Sequence, residues 1–275
     1  MMKTLTIKGV SVPALGLGTW SLNGRDCERA VATAIEAGYR HIDTARAYGN
    51  EAEVGAGLRA SGIDRGDIFL TTKIWYDDLA AGRFQRATEQ SIGTIGVDYA
   101  DLVLVHWPNA DIPLGETLEA LAEVKARGLA RNVGVSNFPV ALMREAIEKH
   151  GADLLCNQVE YHPFLKQDAV IAYARSQGLM ITAYCPIARG QVMGNATLAE
   201  IGRRRGKSEA QVTLRWLVQQ DGIAVIPKAG SEKHIRANME IFDFTLSPED
   251  MAAISALGGD RRLVDPAWAP DWDAA

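Results

Sequence analysis

Short apolar runs alternate with longer stretches of helical periodicity along most of the chain. The opening segment Lys3–Pro13 instead alternates apolar and polar residues around Lys8-Gly9, which predicts a short β-hairpin. Buried strands are then predicted at Ala14–Thr19, His41–Asp43, Ile68–Lys73, Leu102–His106, Asn132–Ser136, Leu154–Val159, Met180–Tyr184 and Ile223–Pro227. Amphipathic helices are predicted between them, at Arg25–Ala37, Ala52–Ala60, Phe84–Ile95, Thr117–Arg127, Val140–Lys149 and Ala169–Ser176. Parallel strands need crossover connections, so this rhythm argues for α/β architecture with a parallel sheet. Eight strand units predict a closed (β/α)8 TIM barrel, with an open doubly wound sheet as the alternative. No low-complexity linker divides the chain, so residues 1–275 are expected to form one barrel domain. The Pro- and Trp-rich end, Asp265–Trp272, is expected to be an extended tail over the barrel.

Composition narrows the class. With 275 residues, 47% of them hydrophobic, the chain can bury one large core. A net charge of −5 argues against general nucleic-acid or membrane-surface binding. The basic run Arg203-Arg204-Arg205 reads as a solvated helix end. Cys27, Cys156 and Cys185 are odd in number and far apart, which suits neither a disulfide framework nor a zinc site. A reducing, cytoplasmic compartment follows as an expectation, because MMKTLTIKGV lacks a signal-peptide apolar region and no run could span a bilayer. No His spacing suggests a metal.

Two phosphate-binding patterns fail on context. Gly55-Ala56-Gly57-Leu58-Arg59-Ala60 fits the loose dinucleotide fingerprint, but it lies inside a helical stretch where the fingerprint needs a strand before it. Gly202–Ser208 ends like a P-loop yet is one residue short and follows no buried strand.

The strand exits carry the chemistry. They present Trp20, Asp43, Lys73, His106, Ser136-Asn137, Gln158, Tyr184 and Lys228, and in a barrel these all face one end. Singly, Asp43 reads as a helix cap, Tyr48 as a loop anchor, Lys73 as a solvated charge and His106 as a core histidine. Together they read differently. A lysine ending the run Ile68–Thr72 is partly buried and needs a carboxylate, which Asp43 can supply. The Lys73 charge is then expected to lower the Tyr48 pKa from about 10, making the phenol a general acid. His106 could aim a substrate oxygen at it.

The motifs GYRHIDTARAYGNE (residues 38–51), TTKIW (71–75), LVHWP (104–108), VGVSNF (133–138), NQVEYHPF (157–164) and IPK (226–228) resemble those of the aldo-keto reductases. The resemblance runs in order from Val12 to Leu257. The loop Ala188–Asn195 and the ending Arg261-Arg262-Leu263-Val264 resemble the bacterial 2,5-diketo-D-gluconate reductases within that family. The resemblance implies NAD(P)H-dependent reduction of aldehydes or ketones, including keto-sugar acids or small dicarbonyls, by a monomeric barrel. It implies a tetrad of Asp43, Tyr48, Lys73 and His106, with Tyr48 as the acid. It implies cofactor contacts at Thr19, Trp20, Asp43, Ser136, Asn137, Gln158, Tyr184, Pro186, Ile187 and Arg189. Further contacts are implied at Lys228, Ala229, Gly230, Ser231, His234 and Asn238, and substrate contacts at Trp20, Tyr48, Trp75, His106 and Trp107. The alternative is a non-catalytic, cofactor-binding regulatory barrel. One departure bears on the cofactor. Ala229 and His234 stand where the family usually has a serine and an arginine. NADPH is therefore expected, with NADH also usable, Ser231, Lys233 or Arg236 compensating in part.

Overall fold

The structure, a computed structural model, describes residues 2–273. Strands β1 (Thr4–Ile7) and β2 (Val10–Pro13) form the antiparallel hairpin, with Leu5 opposite Val12. Its turn residues Lys8 (φ 48°) and Gly9 (φ 81°) are both left-handed, which matches the twist of the flanking strands. Leu5 and Val12 are buried, while Lys3 Nζ donates to Val218 O (2.8 Å) and Lys8 Nζ to Leu154 O (2.9 Å). Both carbonyls precede barrel strands, so the hairpin plugs the N-terminal end of the barrel and leaves the C-terminal end open.

Eight parallel strands follow in strict sequence order: β3 (Leu17–Gly18), β4 (His41–Asp43), β5 (Phe69–Ile74), β6 (Ala100–Val105), β7 (Ala130–Ser136), β8 (Cys156–Glu160), β9 (Met180–Tyr184) and β10 (Ile223–Val225). Every residue of β5 and β6 is buried, as expected of strands covered on both faces. The first and last strands meet through Gly16 N to Val225 O (2.8 Å), Val225 N to Ala14 O (2.8 Å) and Gly18 N to Pro227 O (3.1 Å). These bonds close the sheet into the (β/α)8 barrel. Closure requires a bare backbone at Gly18, where an added Cβ would lie 2.5 Å from Ile226 O.

Helices α1 (Gly24–Glu36), α2 (Glu51–Ala60), α3 (Arg83–Ile95), α4 (Leu114–Ala126), α5 (Val140–Arg144, continued by a wide turn to Lys149) and α6 (Asp168–Ser176) match the six expected ones. Helices α7 (Ala196–Arg205), α8 (Glu209–Gln219), α9 (Glu232–Met239) and α10 (Pro248–Ser255) complete the outer layer. Their starts carry local signals: capping boxes at Ser208/Gln211 and Ser247/Asp250, and Pro248 in the first turn of α10. Gly55 and Gly57 lie inside α2, where a Cβ would sit 1.8 Å from Ile95 O and 2.6 Å from Glu28 O. They are there for close helix packing and bind no phosphate loop. The basic run does end a helix, but it is more than solvated. Arg204 (2.6 Å) and Arg205 (3.3 Å) pair with the buried Asp250 of α10. Strand β8 runs to Glu160, beyond the expected Val159, and so adds a buried carboxylate to the strand exits. Among the described residues, no helix is long and apolar enough to cross a membrane.

Gly18→Ala is expected to lower stability by about 1–3 kcal/mol through overpacking at the closing seam. Urea denaturation measures it, and an unchanged midpoint would show that the seam can spread.

Candidate active site

Asp43, Tyr48, Lys73 and His106, from three successive strand exits, converge at the open end. Strand β4 ends on Asp43, and the next turn (Arg46–Tyr48) folds Tyr48 back over it. Lys73 Nζ, with no exposed surface, donates to Asp43 Oδ1 (2.6 Å), Thr44 O (2.8 Å) and Tyr48 Oη (3.2 Å). Gln158 Nε2 donates to the second Asp43 oxygen (2.8 Å), tying β8 to β4 across the barrel. The His106 ring meets Tyr48 edge-on at 5.7 Å and Trp75 at 5.1 Å, and its Nδ1 is buried without a hydrogen-bond partner.

Electrostatics correct one expectation. Burial pushes the Tyr48 phenol above its ordinary value, and the Lys73 charge opposes this without cancelling it. The hydroxyl is therefore held protonated. Burial also works against the Lys73 ammonium, but Asp43 and Tyr48 outweigh it and its pKa rises. Burial, followed by the charge of Lys73, pulls His106 well below the usual imidazole range.

A cavity of about 650 Å³ opens above this group, within the range of small-molecule sites. Asp43, Tyr48, His106, Ser136, Asn137, Gln158 and Tyr184 line it, as do Trp20, Trp75 and Trp107. Pro186, Ile187, Arg189 and Lys228 continue the wall. The Tyr184 hydroxyl donates to Asn137 Oδ1 (2.8 Å), and Asn137 Nδ2 donates to His106 O (3.0 Å). Ser136 Oγ donates to Gln158 O (2.8 Å). Arg189 lies 5.3 Å from the half-exposed Trp20 ring. This wall suits a nicotinamide dinucleotide: an immobilised aromatic face beside amide groups at one side, and the cations Arg189 and Lys228 at the other.

Other expected residues stand outside the cavity lining. Thr19 is buried behind it, its Oγ1 donating to Asp43 O (3.1 Å). Ala229 is buried, and Gly230, Ser231 and His234 lie exposed at the start of α9. Ser231 caps that helix, accepting from His234 N (3.3 Å), and Arg236 pairs with Glu232 (2.8 Å). Asn238 is buried within α9. The tail reaches the site as well, since Trp268 stacks on Tyr76 (4.6 Å) and meets Trp75 (5.6 Å) and Trp107 (5.1 Å) edge-on.

Sequence reasoning missed the supports. Asn50 Nδ2 donates to Thr19 O (2.8 Å) and Leu22 O (2.9 Å), fixing the loop that holds Trp20. Buried Glu51 accepts from Thr72 Oγ1 (2.7 Å) and from Ser91 Oγ, behind Lys73. The signal was the polar residues Asn50, Glu51 and Thr72 within the quoted motifs themselves. Among the described residues no group of His, Cys, Asp and Glu could hold a metal, and the three cysteines are free.

The Aldo/keto reductase family profile matches residues 14–258. Methylglyoxal reductase DkgB of Escherichia coli O157:H7 is 38% identical over 268 residues, covering 96% of this chain and 100% of the relative. Glyoxal reductase of Bacillus subtilis (strain 168) is 41% identical over 256 residues, 93% of this chain and 92% of the relative. A crystal structure carrying the provisional name 2,5-diketo-D-gluconic acid reductase B superposes with a TM-score of 0.97 at 44% identity, covering 100% of this chain and 98% of that one. The chain belongs to the aldo/keto reductase family. It is an oxidoreductase of the NAD(P)H-dependent, carbonyl-reducing kind typical of that family.

Burial also lowers the pKa of His41, against the pull of Asp43. Both depressed histidines stay neutral in the fold while the unfolded chain takes up protons below about pH 6.5. Their contribution to stability is thus full above that pH and is lost as pH falls toward the folded values, by up to about 1.4 kcal/mol per pH unit for each. Urea denaturation between about pH 7.5 and 5.5 is expected to show this slope, with His106→Asn removing roughly half of it. An unchanged slope would mean that His106 titrates normally.

Proposed function

We propose that this chain reduces aldehydes or ketones to alcohols with NADPH, with Tyr48 as the general acid. The observation that carries the reading is the buried relay Asp43–Lys73–Tyr48, which ends on the cavity wall beside His106. When bound, the dinucleotide supplies the hydride that goes to the carbonyl carbon. Tyr48, kept protonated by burial, gives its proton to the carbonyl oxygen. The Lys73 ammonium at 3.2 Å then stabilises the phenolate until solvent at the mouth returns the proton. His106 is neutral and donates from Nε2 to the same oxygen, holding it beside the phenol. Ser136, Asn137 and Gln158 would hold the nicotinamide amide, and Tyr184 would offer its aromatic face to the ring.

Small dicarbonyls are the substrate class we adopt, supported by the two relatives named for methylglyoxal and glyoxal and by the indole wall of Trp20, Trp75 and Trp107. Lys228 and Lys233 carry the charge for a 2′-phosphate, since Arg236 is paired with Glu232, while the Ser231 hydroxyl, accepting from His234 N as the helix cap, keeps its own proton free to donate. NADPH is accordingly preferred and NADH also used. Free cysteines support a reducing, cytoplasmic setting, and we take the chain to act as one barrel domain and as a monomer.

Tyr48→Phe is expected to lower kcat/KM for methylglyoxal by about 10²- to 10⁴-fold while NADPH still binds by fluorescence titration. Retained turnover would exclude Tyr48 as the acid, and a wild-type enzyme inert toward methylglyoxal, glyoxal and a keto-sugar acid would favour the regulatory alternative. Kinetics with both cofactors should give a preference for NADPH below about 10³-fold, or roughly 4 kcal/mol. A larger ratio would refute the shared use of NADH.

A further inference from the structure

Two buried polar residues follow Gln158, one ending strand β8 and one just beyond it, and the chemistry above uses neither. Glu160 and His162 have no exposed surface. His162 Nε2 lies 2.9 Å from Glu160 Oε1, and His162 Nδ1 accepts from Phe164 N (3.3 Å). An imidazolium has no acceptor, so His162 is the neutral tautomer with its proton on Nε2, donating to Glu160. The carboxylate therefore has no cationic partner in hydrogen-bond contact. Its other ligands are two backbone amides of the C-terminal segment: Leu263 N to Oε1 (2.7 Å) and Val264 N to Oε2 (2.9 Å).

A buried carboxylate that depends on tail amides fixes where the tail sits, because the alternative is an unsatisfied charge in the barrel. The tail is seated further by Lys166 N to Gly259 O (2.8 Å) and Arg261 N to Phe164 O (3.2 Å). From that seat Val264 lines the cavity, and four residues on Trp268 packs against Trp75 and Trp107. We infer that Glu160 is a positioning residue: it clamps the tail to the strand that carries Gln158, and the clamp, acting through Val264 and Trp268, sets which carbonyls fit. The inference rests on the reductase reading, but its first readout is independent of activity.

The test compares wild type, Glu160→Gln and Leu263→Pro, the last removing one tail donor while leaving β8 and the cavity lining whole. Arg261 is already exposed, so both variants are expected to loosen the backbone around it, and trypsin should cleave after Arg261 at least tenfold faster. NADPH affinity should stay within about twofold and kcat for methylglyoxal within about threefold, whereas KM for a bulky probe, benzaldehyde, should change at least fivefold relative to methylglyoxal. Trp268→Ala should produce the same change in preference, and combined with Glu160→Gln it should add little. Wild-type cleavage rates, an unchanged preference ratio or full additivity would overturn the proposal. If Glu160→Gln is insoluble, Leu263→Pro decides by the same measurements. Loss of all turnover with cleavage as predicted would instead count against the chemistry assigned to the site.

Discussion

Lys73 carries its ammonium into the barrel with no exposed surface, 2.6 Å from an Asp43 carboxylate that is itself 1% exposed. Desolvating two charges costs several kcal/mol each, so such a pair earns little net stability. It does, however, impose geometry. Once Lys73 is charged and buried, Asp43, Thr44 O and Tyr48 must surround it, and Gln158 must satisfy the second oxygen of Asp43. Three strands are thereby tied together at one end of the barrel. The acid, the amide wall and the cavity floor take their positions from that tie.

The phenol beside that pair is held protonated rather than tuned toward phenolate. Burial raises the pKa of Tyr48 more than the Lys73 charge lowers it. The lysine matters most once the proton has left, when it faces a phenolate. A neutral His106 completes the arrangement, since both burial and the nearby ammonium oppose its protonation.

The two chain ends divide the labour around the barrel. The N-terminal hairpin closes the end where the strands begin, and the cavity above Asp43 and Tyr48 opens at the other. The C-terminal segment approaches the other end and is held by a second buried carboxylate, Glu160. Asp43 and Glu160 thus play parallel parts: one organises the chemistry and the other seats the rim.

The barrel, its strand exits and the meeting of Asp43, Tyr48, Lys73 and His106 were legible in the sequence because short apolar runs and their polar endings are local patterns, and a closed parallel sheet turns every exit toward one face. Local capping signals likewise mark α8 and α10. Other features depend on partners far apart along the chain. Glu160 reads as one acid in NQVEYHPF until Leu263 and Val264, more than a hundred residues later, bring their amides to it. Glu51 reads as a helix-start residue until Thr72 and Ser91 enclose it. The direction of the Tyr48 shift depends on how much surface the fold removes from water, which no spacing encodes. The sequence by itself determined which groups meet at the open end. Only tertiary packing decided how dry that meeting place is, and therefore which of its groups hold their protons.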